Sequence, residues 1–376
     1  MRVVFINPEY PPIGGGAANA CYHLAHILTQ YGHQVAVLTA HFRHLPRYEN
    51  QKGVHIWRIF SRRKRAERSG ALEQGLFILS GLPALLRLVR QWRPQVLVAF
   101  FGAPSGILAW AVQRWVRLPY VVLLRGGDVP GFRPYDFRIY HQLIGPILRR
   151  VWRQAAAVVA NSEGLRALAQ RFDPTVPIRV IPNGVDPQRF TPPEQRVWNP
   201  PRLLFVGRVV YQKGLDVLLD ALAGLSTPQP WHLTLVGDGP YRPTLEALAA
   251  ERGLRERVTF AGWQPPERIP AFYRKANLFV FPSRDEGMPN AVLEAMASGL
   301  PIVATRIAGN EELVTPEVGV LVPKDDTAAL RAALRDLLPD AASRQRLGAA
   351  ARQRVRQHFT WEATARQYLA LFHEVQ

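Results

Sequence analysis

Two glutamates, Glu286 and Glu294, stand with seven residues between them around a stretch that reads as strand, tight loop and helix. The apolar run 278–281 predicts a buried strand, and a polar loop follows over 283–287. Pro289 in the first turn, Leu293, Ala295 and Met296 within it, and Gly299 and Pro301 as stop signals predict a helix. Strand, loop and helix in that order gather the backbone amides of the loop and the first helical turn at one sheet edge, which is an anion site. Acids beside an anion site need a further reason, and sugar hydroxyls supply one, because carboxylates accept hydrogen bonds from them.

These residues need a scaffold, and the chain supplies an alternation of strands and helices. In the first half, strands are predicted at 3–6, 34–39, 95–100, 120–124, 156–160 and 178–181, with helices such as 17–31, 104–116 and 137–151 between them. That order implies parallel sheets. Gly14-Gly15-Gly16 lies between the first strand and its helix. It suits close approach of a phosphate or sugar ring, or serves simply as a turn. It is not a dinucleotide fingerprint: Asn19 stands where the last glycine belongs, and the second strand ends in Thr39-Ala40 with no acid for a ribose. After the strand 120–124 comes Arg125-Gly126-Gly127-Asp128, with Arg125 suited to an anion and Asp128 to a hydroxyl, or either to a local ion pair. Five prolines within 187–201 mark a linker. The second half then repeats the alternation with strands at 203–206, 233–236, 258–260, 278–281 and 302–305. Each leads into a loop containing glycine, and parallel strands would bring these loops to one edge with close backbone access. Helices 327–338, 341–358 and 361–372 close the chain.

A chain of 376 residues with 48% hydrophobic content holds about two domains. The lone Cys21 excludes internal disulfides and a cysteine metal cluster. Met1-Arg2 runs straight into a strand with no signal peptide, and the longest apolar stretch, 76–86, is broken by Gly81 and Pro83 and is too short to span a bilayer, so a cytoplasmic location is expected. Net charge is +18, and residues 1–190 hold 25 Lys and Arg against 9 Asp and Glu, whereas 191–376 hold 22 against 20. The first half should therefore prefer an anionic partner, although 42 Arg against 5 Lys also fits a chain that simply uses arginine for solubility. The cationic run 61–68 and the mixed stretches 85–93 and 149–153, each of the latter with a tryptophan, suit the headgroup layer of an anionic membrane, or solvated helix faces over an ordinary core. No nucleic-acid motif accompanies the charge.

Taken in order, the early glycine loop, Asn161-Ser162-Glu163, Ile181 to Asp186, Gly207-Arg208 with Lys213-Gly214, Gly237-Asp238-Gly239-Pro240, the paired-glutamate element and Phe359-Thr360-Trp361-Glu362 resemble the family-four retaining glycosyltransferases that use nucleotide sugars. The resemblance runs nearly the whole length. It implies the GT-B fold, two facing Rossmann-like doubly wound parallel-sheet domains with a cleft between them. It sets an acceptor domain at 1–190, joined by a final helix (359–376) that crosses back, and a nucleotide-sugar domain at 191–358. It assigns Arg208 and Lys213 to the diphosphate, where negative charge develops as the sugar–phosphate bond breaks. Glu286 would orient the donor sugar and Glu294 would accept from the ribose. The backbone at Gly287, Met288, Pro289 and Asn290, Gly15 and Gly16 from the other domain, and the base-contacting loop at Gly262 complete the donor site. Many members carry His-Gly where this chain has Arg125-Gly126. Arginine stays protonated and cannot act as a base, so Arg125 suggests a donor or acceptor with an anionic group, beside Asp128.

No Asp-x-Asp occurs, so the ligands of a metal-dependent route are missing and no cofactor is expected; cations and amides must do the electrostatic work. No covalent nucleophile stands at a strand end, which points to front-face retaining transfer. The expected activity is transfer of a hexose from a UDP- or GDP-sugar to a cell-envelope glycan or lipid-linked acceptor, at the inner face of a membrane. A small soluble acceptor or sugar phosphate is the alternative, and a non-catalytic nucleotide-sugar-binding protein a further one.

Overall fold

The computed structural model describes residues 1–65, 69–227 and 229–376. The chain divides into two units, Met1–Asn183 with Trp361–Gln376, and Gly184–Thr360. The expected boundary after residue 190 falls instead after Asn183. Val185 bridges to Thr360 and donates its N–H to Phe359 O at 2.9 Å, which ties the start of the linker to the second unit.

The first unit runs β1 (Arg2–Ile6), α1 (Gly16–Gln30), β2 (Gln34–Ala40), β3 (Tyr48–Gln51), β4 (Val54–Ile59), α2 (Ala71–Trp92), β5 (Val96–Phe100), α3 (Ile107–Val116), β6 (Tyr120–Leu123), α4 (Pro134–Gln154), β7 (Ala157–Ala160), α5 (Glu163–Phe172) and β8 (Ile178–Val180). Its sheet has the order β3-β4-β2-β1-β5-β6-β7-β8, parallel except for the β3–β4 pair. Alternation along β1 feeds two cores. Val3 and Phe5 pack with Leu24 of α1 and Tyr368, while Val4 and Ile6 pack with Leu85 and Leu88 of α2. Ser162 caps α5, its Oγ accepting from Leu165 N at 3.1 Å.

The second unit runs β9 (Arg202–Val206), α6 (Leu215–Ala223), β10 (His232–Val236), α7 (Arg242–Glu251), β11 (Val258–Gly262), α8 (Ile269–Lys275), β12 (Leu278–Phe281), α9 (Asn290–Ala297), β13 (Ile302–Thr305), α10 (Ala308–Glu311), β14 (Gly319–Val322), α11 (Thr327–Leu337) and α12 (Ala341–His358). Its six strands are all parallel, in the order β11-β10-β9-β12-β13-β14. The last helix, α13 (Trp361–Glu374), belongs to the first unit and packs on α1.

Strand order reverses at β1 in the first sheet and at β9 in the second. In open α/β sheets ligands bind outside the carboxyl ends of the strands at such points. In the second unit the reversal lies between β9, which leads to Arg208 and Lys213, and β12, which leads to Glu286.

Three features depart from the expectation. The β3–β4 hairpin and the short β14 are absent from the predicted strand pattern. Helix α2 continues through Gly81 and Pro83, because buried Phe77, Leu85, Leu86, Leu88 and Val89 fix it on the core and offset the hydrogen bond proline removes. At 22 residues it is long and apolar enough to cross a membrane by length and composition, which corrects the reading of 76–86 as too short. The basic stretches also change character. Trp152 is buried in the core, Arg63 is buried, and part of the 61–68 run, residues 66–68, lies outside the described residues.

Candidate active site

The loop between β12 and α9 carries the chemistry of the second unit. Glu286 Oε1 accepts from three donors: the ammonium of Lys213, Ser283 Oγ at 2.6 Å, and Gln212 Nε2 at 3.4 Å. Lys213 Nζ also lies 4.8 Å from the centroid of the Phe281 ring. The side chains of Lys213 and Glu286 are only 11% and 12% exposed, so this ion pair is far less screened than a surface pair. The residues expected to meet phosphate and sugar are thus immediate neighbours. Arg208, one loop away after β9, is exposed and has no ion-pair partner among the described residues. Pro289 precedes α9 and offers no side-chain cap, so that helix turns the positive end of its dipole toward the loop that carries Glu286.

Glu294 projects from the second turn of α9. Its Oε2 accepts from Tyr273 Oη at 3.0 Å. Burial pushes its carboxyl up to about 7, opposed by that hydrogen bond and by the charge of Arg189. Gly262 closes β11 with φ +68°, and its carbonyl accepts from Gly237 N at 2.9 Å.

Sequence reasoning missed the clamp that shapes this loop. Arg284 donates from Nη1 and Nη2 to Asp216 at 3.0 and 2.8 Å, from Nε to Asp325 at 2.7 Å, and from Nη1 to Tyr211 O at 2.6 Å, with its guanidinium 3.9 Å from the centre of the Tyr211 ring. Arg284 N donates to Gln212 O at 2.7 Å, so the Glu286 loop and the Lys213 segment are sewn together. The available signal was an arginine set between a strand and two acids, Asp285 and Glu286.

The glycines of these loops pack backbone against backbone, which corrects the expectation that they leave the edge open to a ligand. Gly214 has φ +61°, and a side chain there would strike the carbonyl of Pro282. A side chain on Gly309 would strike the carbonyls of Gly287 and Glu286. We expect Gly309→Ala to cost about 1–3 kcal/mol and to raise the donor KM, by displacing the Glu286–Gly287 backbone. Urea melts and initial-rate kinetics check this; unchanged values in both would show that the loop tolerates the shift.

In the first unit the glycine loop is held from below. Arg63 donates to Pro8 O at 3.1 Å and to Glu9 Oε1 at 3.4 Å, and Glu9 Oε2 accepts from Gly15 N at 3.4 Å. Gly14 adopts φ +97°, and α1 begins at Gly16. Asp128 spends its carboxylate on backbone amides, Oδ1 accepting from Arg125 N at 2.9 Å and Oδ2 from Gly102 N at 2.7 Å. It is buried, and burial raises its pKa against those two hydrogen bonds. Asp128 therefore shapes its loop and does not stand open to a ligand hydroxyl, as the sequence suggested. Arg125 donates to Asn183 Oδ1 at 2.7 Å and lies 5.0 Å over the Phe100 ring. Its side chain is anchored within the first unit, not held in an ion pair with Asp128.

Comparison with known proteins shows the family and the fold. Residues 14–189 match the model of Glycosyltransferase Family 4, and residues 188–354 match that of Glycosyl transferases group 1. The lipopolysaccharide core biosynthesis mannosyltransferase LpsB of Rhizobium meliloti is 34% identical over 331 residues, covering 80% of this chain and 89% of the relative. Among solved structures, sucrose-phosphate synthase from Thermosynechococcus elongatus superposes with a TM-score of 0.85 at 24% identity, covering 100% of this chain and 99% of the other. Anabaena HepE, solved in complex with UDP-glucose, does so with a TM-score of 0.80 at 20% identity over the full length of both. At these identities the structural likeness establishes the fold, which is GT-B.

Proposed function

From the premise that the chain belongs to the group 1 glycosyl transferases of glycosyltransferase family 4, and is a glycosyltransferase, we propose that it moves a hexose from a UDP- or GDP-sugar to a cell-envelope glycan or lipid-linked acceptor, with retention and without a metal. The observation that carries this reading is the joined Lys213–Glu286 pair beside the first turn of α9. Lys213, Arg208 and the α9 amides take the diphosphate, and their fixed charge stabilises it as a leaving group. Glu286 accepts from the donor sugar and fixes its ring; Glu294 accepts from the ribose. The acceptor hydroxyl attacks from the face the diphosphate leaves, and a phosphate oxygen takes its proton. The UDP-glucose complex of HepE supports a nucleotide-sugar donor. Incubation with UDP- and GDP-sugars in the presence of a chelator tests the reading. Turnover is expected to persist, with a product of the donor's own anomeric configuration by NMR. An inverted product, or turnover lost on chelation and restored by Mg²⁺, would overturn the mechanism.

A membrane-held acceptor is favoured by one surface of the first unit. Tyr135, Ile139, Leu143 and Ile147, four residues apart along α4, are 50%, 73%, 76% and 39% exposed. Leu72 and Leu79 of α2 are exposed as well, and Tyr140 of α4 donates to Gln74 of α2 at 3.4 Å. Exposed Arg138, Arg149 and Arg150 accompany the apolar row on α4. An apolar row with flanking arginines suits the boundary between headgroups and acyl chains of an anionic bilayer. Flotation with phosphatidylglycerol vesicles is expected, and Ile139→Glu with Leu143→Glu should reduce it at least about tenfold. Equal flotation of the variant would remove the membrane from the reading and leave a soluble acceptor.

A further inference from the structure

The second unit contains a groove of 710 Å³ formed by the linker segment and α12. None of the residues discussed for transfer lines it. Its wall carries three arginines, Arg196, Arg352 and Arg356, and one carboxylate, Glu194. Trp198 and the amides of Gln353 and Gln357 stand in the same wall.

The arginines are held without neutralising partners. Arg196 donates to the carbonyls of Tyr273 at 3.2 Å and Ser298 at 2.6 Å, and also to Ala276 O. Arg352 donates to the carbonyl of Phe190 at 3.2 Å and also to Ala297 O. None of the three forms an ion pair with a carboxylate among the described residues. Carbonyl dipoles fix the guanidinium groups of Arg196 and Arg352 but do not cancel their charge, and Arg356 stands exposed on α12. Burial, with the nearby Arg202, holds Arg196 down to about 10, and burial, with Arg356 beside it in the groove, lowers Arg352. An anion in the groove would meet Arg352 and Arg356, which stand four residues apart on α12, beside Arg196.

The rest of the lining specifies the kind of anion. Gln353 and Gln357 stand four residues apart on α12 and project to one side of it, and each amide offers both donors and an acceptor, the pairing that hydroxyls require. Trp198 offers an aromatic surface, with the Arg196 guanidinium 5.5 Å from its ring centre. The groove has the volume of a ligand site, and Pro192, Pro193 and Ala349 give it only short apolar surface beside its arginines and amides.

We infer that this groove is a second carbohydrate site, one that binds an anionic saccharide with its carboxylate or phosphate on Arg196, Arg352 and Arg356 and its hydroxyls on Gln353 and Gln357. It is separate from donor binding and does not depend on the proposed transfer reaction. The shared chemistry admits two sources, an acidic glycan and a free sugar phosphate.

The test uses the full chain labelled with 5-fluorotryptophan and followed by fluorine NMR. Trp198→Phe identifies the Trp198 signal among those of the nine tryptophans. Trigalacturonate, glucose 6-phosphate, maltotriose and inorganic phosphate are titrated at matched ionic strength. The Trp198 signal is expected to shift saturably with an acidic sugar and to stay still with maltotriose and with phosphate. A response to trigalacturonate alone identifies a glycan, and a response to glucose 6-phosphate a free sugar phosphate. Arg356→Gln with Gln353→Ala, both on the exposed side of α12, should weaken the response at least about tenfold while the other tryptophan signals keep their positions. No shift with either acidic sugar overturns the proposal. So does an equal shift with phosphate, which means an adventitious ion only, an equal shift with maltotriose, or an unchanged response in the double variant.

Discussion

Lys213→Ala is expected to lower kcat by about 10²–10³-fold, with a smaller change in donor KM. The ammonium is nearly buried, lies against the Phe281 ring and is paired with Glu286, so its charge acts where water screens little. Its removal has two effects. In the proposed reaction the diphosphate loses a cation at the moment its charge grows. Glu286 keeps only Ser283 and Gln212 as donors, and its carboxylate is then held by neutral groups alone. Lys213→Arg should not restore the rate. A planar guanidinium cannot take the place of a compact ammonium that meets both Glu286 and the Phe281 ring. Because the two residues form one nearly buried ion pair, Lys213→Ala and Glu286→Gln should be strongly non-additive in a double-mutant cycle. A Lys213→Ala enzyme within about threefold of the parent in kcat would remove Lys213 from the chemistry.

The second large effect concerns Glu294 and has a sign that can be checked twice. Its carboxyl is raised from an ordinary value of 4.5 to about 7, with burial as the main cause. A carboxyl raised in the folded state favours folding fully below its unfolded value, and that contribution is lost as pH rises through about 7. Glu294→Gln mimics the protonated form and keeps an acceptor for Tyr273. The variant should therefore match the parent in stability near pH 4 and exceed it at pH 8. The gain is about 2 kcal/mol, discounted from the full shift because the residue keeps some solvent contact. Binding should move the other way. An ionised carboxylate is the better acceptor for ribose hydroxyls, so donor affinity should improve as pH rises through about 7, and that dependence should vanish in Glu294→Gln. Urea melts at the two pH values and a donor titration across the range measure both. A variant less stable than the parent at pH 8 would mean that Glu294 is held ionised by partners other than those described.

The central strands were legible because parallel strands covered on both faces are continuous apolar runs, and Leu278–Phe281 or Val96–Phe100 can hardly be anything else. The hairpin was not, because Tyr48-Glu49-Asn50-Gln51 carries no apolar alternation and is recognised only by pairing with β4. Helix α2 was underestimated because Gly81 and Pro83 read as breaks, whereas packing decides. At the site, residue types and loop positions pointed to Glu286 and Lys213, but their pairing joins positions 73 residues apart and leaves no local trace. The Arg284 clamp was hidden for the same reason, its partners Asp216 and Asp325 lying on other elements. Asp128 was misjudged because a carboxylate aimed at a ligand and one aimed at two amides of its own fold look identical in a sequence.

Arg196, Arg344 and Arg352 secure the linker to the helices of the second unit, and every one of them does so through carbonyl oxygens, Arg344 reaching Leu337 O and Trp198 O, both at 2.7 Å. A carbonyl has no proton to gain, and an arginine does not give one up near neutrality. The ties of the linker are thereby indifferent to acid, whereas the clamp on the loop between β12 and α9 joins Arg284 to the carboxylates of Asp216 and Asp325. Acidification is therefore expected to loosen the loop that carries Glu286 before it releases the linker from the helices of this unit.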